Sequence, residues 1–390
     1  MSTNIEVLEK IPPVAPLKIV ALESCTTLAQ KMNQYIIDFR KSSTLSKNDS
    51  IQLSSYLQDC YLVKNECPRF GSGEAKGRLK ESIRGCDLFI MVDVSNYSLT
   101  YTVNGHINHM SPDNHFQDLK RIIAAATGKA RRINVIMPFL YEGRQHKRTK
   151  RESLDCALAL KELTSMGVSN IITFDAHDPR VQNAIPLNGF DSFNPAYQFM
   201  KALFRAEPNL QVDKNHLMVI SPDEGAMSRA VFLSNILGVD MGMFYKRRDY
   251  SKIVNGKNPI VEHEFLGTDI SGKDVIVIDD MISSGDSMLD VAKQVKARGA
   301  ARVFIFVTFG LFTSGFEAFD EYYEKGFIHR LIVTNLTYIP DIAYEKPYFQ
   351  VAEMSKFLAL IVDSLNHDTS IGAVLDPTDK IHSLMKKYKK

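Results

Sequence analysis

The feature that most restricts the fold of this chain is an alternation of two kinds of segment along its length. Apolar runs of strand length occur at Leu17–Leu22, Asp87–Val94, Ile133–Pro138, Asn170–Asp175, Leu217–Ser221, Met241–Tyr245, Val275–Asp279, Arg302–Thr308 and Leu331–Thr334. Stretches long enough for helices separate them. Several runs are continuous Val, Ile and Phe, the pattern of strands covered on both faces. Three helical stretches, around Glu152–Met166, Ala226–Leu237 and Ser287–Arg298, end on Gly167, Gly238 and Gly299, and a strand-like run follows each. Glycine accepts the left-handed conformation that closes a helix. This punctuation predicts an α/β fold with mainly parallel sheets flanked by helices.

A chain of 390 residues has room for two domains of roughly 100–200 residues each. The alternation is interrupted at Asn194-Pro195 and Glu207-Pro208-Asn209, so a boundary is expected between positions 190 and 215. Residues 1–16 read as a flexible lead-in, and 41–52 and 96–116 as polar loops or insertions.

Charge and cysteine content narrow the partners. The 47 basic and 45 acidic residues leave a net charge of +2, which does not call for nucleic acid or a membrane surface. The five cysteines, Cys25, Cys60, Cys67, Cys86 and Cys156, form no CxxC pair. Neither a disulfide framework nor a zinc site is indicated. The most apolar run, Val303–Phe312, suits a buried strand and is too short for a bilayer. The start of the chain lacks a basic stretch leading into an apolar one. The expectation is a cytoplasmic protein with no nucleic-acid or membrane partner.

The strongest local signal is the segment from Val275 to Ser287, VIVIDDMISSGDS. An apolar strand ends in two carboxylates, a loop of small residues follows, and a helix begins. Ligands of open α/β sheets bind at the carboxyl ends of strands. Such a loop can turn its amides inward, and the new helix adds its positive end, which suits a phosphomonoester. The adjacent carboxylates suit ribose hydroxyls or Mg²⁺. The bland alternative is a strand capped by Asp and an ordinary turn. Two further strand ends carry acids, in Asp175-Ala176-His177 and in Ser221-Pro222-Asp223-Glu224-Gly225.

The Asp279-Asp280 segment resembles the phosphoribosyl diphosphate (PRPP) motif of type I phosphoribosyltransferases and of PRPP synthetases, which in the synthetases reads DDMIDTxGT. Here Ser283 replaces an Asp, Asp286 a Gly, and Ser284 and Ser287 each a Thr. Asp175-Ala176-His177 and the stretch from Ser221 to Gly225 are similar to the synthetase patterns DLH and SPDxGG, and Arg229 matches as well. Three blocks separate a synthetase from a transferase. Residues 138–152, PFLYEGRQHKRTKRE, resemble PYxxYxRQDRKxxxRE, with His146 in place of an Asp. Residues 70–87, FGSGEAKGRLKESIRGCD, resemble FxDGE…ESVRGxD, with Ser72 in place of an Asp. Residues 245–249, YKRRD, resemble the start of the family's mobile catalytic loop. The likeness runs in family order over roughly residues 17–365.

What the resemblance implies is a ribose-phosphate diphosphokinase with two phosphoribosyltransferase-like domains. These would be 17–200 on the ATP side and 201–350 on the ribose 5-phosphate side, between a flexible 1–16 and a C-terminal helix and basic tail at 351–390. It assigns ATP to Phe70, Ser72, Glu74, Arg144, Gln145 and His177. Ribose 5-phosphate falls to Asp279, Asp280, Ser283, Ser284, Gly285, Asp286 and Ser287, and Mg²⁺ to His177 and Asp223. Catalysis falls to Lys246, Arg248 and His177. It also implies a homo-oligomer, dimer-based and often hexameric. Two other readings compete: a non-catalytic homologue that assembles with and regulates an active synthetase, and a transferase that consumes PRPP. The retained His177, Asp223, Lys246, Arg248, Asp279 and Asp280 oppose the first, and the blocks at 70–87 and 138–152 oppose the second.

Overall fold

The computed structural model describes residues 11–47, 55–248 and 260–388. The chain divides into two compact units. The first comprises Met1–Asn194, Asn335–Tyr338 and Met354–Asp376, and the second Pro195–Thr334, Ile339–Glu353 and Pro377–Lys390. The chain therefore revisits the first unit twice after leaving it. Among the described residues no helix is long and apolar enough to cross a membrane.

The elements of the first unit up to Asn194 are β1 (Leu17–Ala21), α1 (Thr26–Ser42), β2 (Asn65–Glu66), β3 (Arg78–Leu79), β4 (Asp87–Met91), β5 (Thr100–Val103), β6 (His106–His109), α2 (Pro112–Ala126), β7 (Arg132–Ile136), α3 (Asp155–Ser165), β8 (Asn170–Phe174) and β9 (Gly189–Phe193). The main sheet is fully parallel in the order β1-β4-β7-β8-β9. Alternate side chains such as Leu88, Ile90, Val135 and Ile171 pack under Leu119 and Ile122 of α2 and Leu160 and Leu163 of α3. Phe357 meets Phe174 and Phe193 at ring-centroid distances of 6.1 and 5.9 Å.

The second unit begins with α4 (Ala196–Ala206), β10 (Leu217–Ser221), α5 (Met227–Leu237), β11 (Asp240–Arg248), β12 (Ile260–Leu266), β13 (Asp274–Ile282), α6 (Asp286–Ala297), β14 (Val303–Gly310), α7 (Glu317–Glu324), β15 (Arg330–Thr334) and β16 (Phe349–Ala352). Phe357 belongs to α8 (Ser355–Asn366) of the first unit; α9 (Gly372–Leu375) and α10 (Thr378–Tyr388) follow. The second sheet has the order β12-β11-β10-β13-β14-β15-β16, parallel except where β12 returns against β11. Its strands are covered on both faces, as continuous apolar runs require. Val275, Val277, Ile305 and Val333 face Leu289 and Val295 of α6 and Phe319 of α7. Ile276, Ile278, Phe304 and Phe306 face Phe199 and Leu203 of α4 and Leu233 of α5.

Gly167, Gly238 and Gly299 all have positive φ. Other local expectations need correction. Residues 96–116 are not a plain polar loop: β5 and β6 form an antiparallel hairpin. Ser111 then caps α2, its hydroxyl accepting from the Asn114 amide at 3.2 Å. Residues 41–47 finish α1 and form a 3₁₀ turn, Thr44–Lys47, while 48–52 lie outside the described residues. Within 1–16, the described end is tied down: the Val14 amide donates to the Asn366 carbonyl (2.8 Å), and Ala15 is buried.

Candidate active site

The ribose-side candidates stand where the second sheet changes direction. β10 pairs with β11 on one side and with β13 on the other, both parallel. Chain order therefore diverges between β10 and β13, a topological switch point, and it is at the carboxyl ends of strands at such points that α/β sheets bind ligands. Asp279 and Asp280 lie in β13, and Asp223 follows β10. Asp280 is buried and pairs with the buried Arg229 of α5 at 3.3 Å. Asp223 is oriented by the backbone, its Oδ1 accepting from the amides of Gly225 (2.9 Å) and Ala226 (3.3 Å). Asp279 accepts the Asp280 amide at 2.8 Å. Burial, and then the charges of Asp280 and Asp223, hold its carboxyl well above the usual carboxylate range.

After β13 the loop of Ser283, Ser284 and Gly285 leads into α6. Gly285 has φ 99°, and a Cβ there would lie 2.5 Å from the ring of Phe319. A side chain here would be strained and would push against Phe319, so glycine is favoured by backbone conformation and packing together. Gly285 is the N-cap of α6 and brings no side chain to its first turn. The Ser284 hydroxyl donates to Asp286 Oδ2 at 3.0 Å. The Ser283 and Thr313 hydroxyls are 3.5 Å apart, and the Thr313 amide donates to the Ser283 carbonyl at 3.0 Å. Asp279, Asp280, Ser283, Ser284, Gly285, Asp286 and Ser287 are thus one continuous strand–loop–helix unit, with Asp223 and Arg229 beside its acids.

Lys246 and Arg248 lie near the end of β11, where Lys246 pairs with His263 of β12 and the register shifts between Arg247 and Arg248. Their side chains lie outside the described residues.

The nucleotide-side candidates belong to the first unit. Phe70, Ser72 and Glu74 form a tight turn in which the Phe70 amide donates to the Glu74 carbonyl (2.7 Å) and the Gly73 amide to the Phe70 carbonyl (2.9 Å). The Ser72 hydroxyl donates to Glu74 Oε2 at 2.9 Å, and the Phe70 ring is half exposed. The loop after β7 is anchored by Tyr141, whose ring stacks on Phe116 at 4.2 Å and whose hydroxyl donates to Asp113 at 2.6 Å. Arg144 is exposed there, and the Gln145 amide donates to the Glu142 carbonyl at 2.8 Å. His177 is exposed after β8, with its ring 5.3 Å from that of His146.

Sequence reasoning did not single out Asp178. His146 Nε2 lies 3.6 Å from Asp178 Oδ2. The hydrogen bonds from Arg180 hold Asp178 down to about 2. An ionised carboxylate thus sits beside the loop that carries His177. The only signal was adjacency: an acid directly after a candidate histidine.

Paired aspartates at a sheet switch point and a tight small-residue loop that opens a helix mark the second unit as a phosphoribosyltransferase-type α/β domain. Residues 200–325 match the phosphoribosyl transferase domain, and residues 17–167 match the N-terminal domain of ribose phosphate pyrophosphokinase. The chain belongs to the ribose-phosphate pyrophosphokinase family. It is 26% identical over 361 residues to the ribose-phosphate pyrophosphokinase of Ureaplasma parvum, covering 88% of this chain and 100% of that one. It is 27% identical over 344 residues to that of Mycoplasma genitalium, covering 87% and 94%. The crystal structure of phosphoribosylpyrophosphate synthetase from Mycobacterium smegmatis superposes with a TM-score of 0.70 at 20% identity, over 90% of this chain and 99% of that one. That likeness speaks for the fold.

Proposed function

We propose that the protein is a ribose-phosphate diphosphokinase, moving the β,γ-diphosphoryl group of ATP to the C1 hydroxyl of ribose 5-phosphate to give PRPP and AMP. The observation that carries this is the pairing of the two domain matches in one chain, in that order. A transferase that consumes PRPP would need only the second.

In this reading the amides of Ser283–Ser287 take the 5-phosphate, helped by the positive end of α6. Asp279 and Asp280 accept the ribose hydroxyls. Phe70, Ser72, Glu74, Arg144, Gln145 and His177 serve the nucleotide. The C1 oxygen attacks the β-phosphorus, a new O–P bond forms, and the bond to the α-phosphate oxygen breaks with its electron pair leaving on AMP. Lys246 and Arg248 offset the charge that develops, the main catalytic need of a reaction that is mostly positioning and electrostatics.

The carboxylates of the second unit support Mg²⁺ as the cofactor. Asp279 is crowded by the charges of Asp280 and Asp223, and a hard divalent cation near hard oxygen donors relieves such crowding. Asp223, an oxygen donor of the second unit, would hold it. When bound, it neutralises phosphate charge in the transition state. The reading includes a cytoplasmic homo-oligomer acting on small molecules alone.

The test is a product assay with purified protein, ribose 5-phosphate and MgATP. AMP and PRPP should appear in equal amounts, each dependent on both substrates. No AMP, with or without added phosphate and with other nucleotides tried, would sink the proposal and favour a regulatory homologue.

A further inference from the structure

The phosphate loop carries its own anion. Between Asp279 and Ser287 the chain has three aspartates and no lysine or arginine. Asp280 is balanced by Arg229 at 3.3 Å. Asp286 sits in the first turn of α6, and its Oδ2 takes a hydrogen bond from the Ser284 hydroxyl at 3.0 Å. Its carboxylate is thereby turned back onto the loop. Phe319 packs closely at this turn, where a Cβ on Gly285 would lie 2.5 Å from its ring.

Two effects follow for a phosphoester at these amides. The carboxylate repels the dianion at short range. It also engages a hydroxyl donor, Ser284, that a phosphate oxygen would otherwise use. The positive end of α6 still attracts an anion, so a phosphate bound at this loop would meet a resident competitor.

We propose that Asp286 is a specificity-determining residue that holds the affinity of this loop for phosphate dianions low. This rests on the reading that the loop receives the 5-phosphate of the sugar. Asp286→Asn keeps the side chain's shape and removes its charge, so it binds ribose 5-phosphate about tenfold more tightly than the parent, the order expected for one charge pair near a surface. Asp286→Glu keeps the charge and leaves affinity near the parent's. The advantage of the Asn variant shrinks as salt rises, because screening weakens the repulsion it removes.

The experiment is calorimetric titration of ribose 5-phosphate, and separately of inorganic phosphate, into the full chain and both variants at low and high salt. Tighter binding by Asp286→Asn alone, with the difference narrowing in salt and the KM for ribose 5-phosphate falling while that for ATP stays, supports the proposal. Equal or weaker binding by Asp286→Asn, a shift shared by both variants, or no binding by any of the three overturns it. Turnover to PRPP and AMP is scored separately. Charge-selective tightening without turnover would keep the role of Asp286 and refute the diphosphokinase.

Discussion

Gly285 and Lys246 are the residues through which the proposed phosphate loop and the proposed catalytic chemistry can each be interrogated. Replacing Gly285 by Ala places a methyl group 2.5 Å from a ring carbon of Phe319 at a backbone φ of 99°. Strain and collision together are expected to destabilise the protein by about 2–3 kcal/mol. Ribose 5-phosphate binding should fall with it, read by denaturant midpoint and by titration. A variant with the parent's midpoint and affinity would show that the loop tolerates a side chain. Lys246→Ala should lower kcat by about 10²- to 10³-fold, as loss of one fixed charge at a transition state does, and raise KM far less. Steady-state kinetics decide it, and an unchanged kcat removes Lys246 from the mechanism.

At the scale of elements, α1 is held to α8 by a buried ion pair. Arg40 is 1% exposed. Its Nε donates to Asp363 at 2.8 Å and its Nη2 to Asn366 at 2.7 Å, while its guanidinium lies 4.7 and 4.8 Å from the ring centres of Tyr56 and Tyr61. Arg40→Met leaves the Asp363 carboxylate buried beside an apolar chain and should cost about 3–5 kcal/mol, measured by chemical denaturation. A loss under about 1 kcal/mol would mean that water reaches Asp363. These helices also mark where the sequence stops being transparent. The strands of both sheet centres and the Asp279–Ser287 loop were legible because burial on both faces imposes continuous apolar runs and a strand–loop–helix junction of acids and small residues stands out locally. β9 (Gly189–Phe193, GFDSF) is mixed in polarity because it is an edge strand, and the pairing of its Asp191 with Asn170 is visible only in three dimensions. β16 is shorter still and half-buried. The helical stripe of Leu28, Met32 and Ile36 in α1 was available but is masked by polar neighbours. In the candidate site, residue types and order were legible. The Arg229–Asp280 pair and the turn of Asp286 onto Ser284 were not, since both depend on side-chain direction.

For the molecule as a whole, Asp93 makes stability depend on pH. It is 1% exposed and accepts from the Ser95 amide (2.9 Å), the Ser95 hydroxyl (2.7 Å) and the Tyr338 amide (2.7 Å). Burial pushes its carboxyl up to about 6, against the hydrogen bonds that favour the charged form. The folded state therefore holds this proton more tightly than the unfolded chain does. Its contribution is fully present below about pH 4 and is lost as pH rises to about 6, a fall of roughly 3 kcal/mol. Denaturant midpoints measured across this window should decline in the parent, and the decline should be smaller in Asp93→Asn. Identical slopes would place the titration elsewhere. Tyr338 reaches Asp93 because residues 335–338 return to the first unit, as 354–376 do again. That double return has a consequence for how the protein is made. As the chain leaves the ribosome, Arg40 and Asp87 emerge hundreds of residues ahead of Asp363 and Asn366, which complete their hydrogen bonds. The N-terminal unit is thus the first to be synthesised and among the last to be finished, and a nascent chain halted between residues 40 and 363 leaves Arg40 without its carboxylate partner, open to the quality-control machinery of the cell.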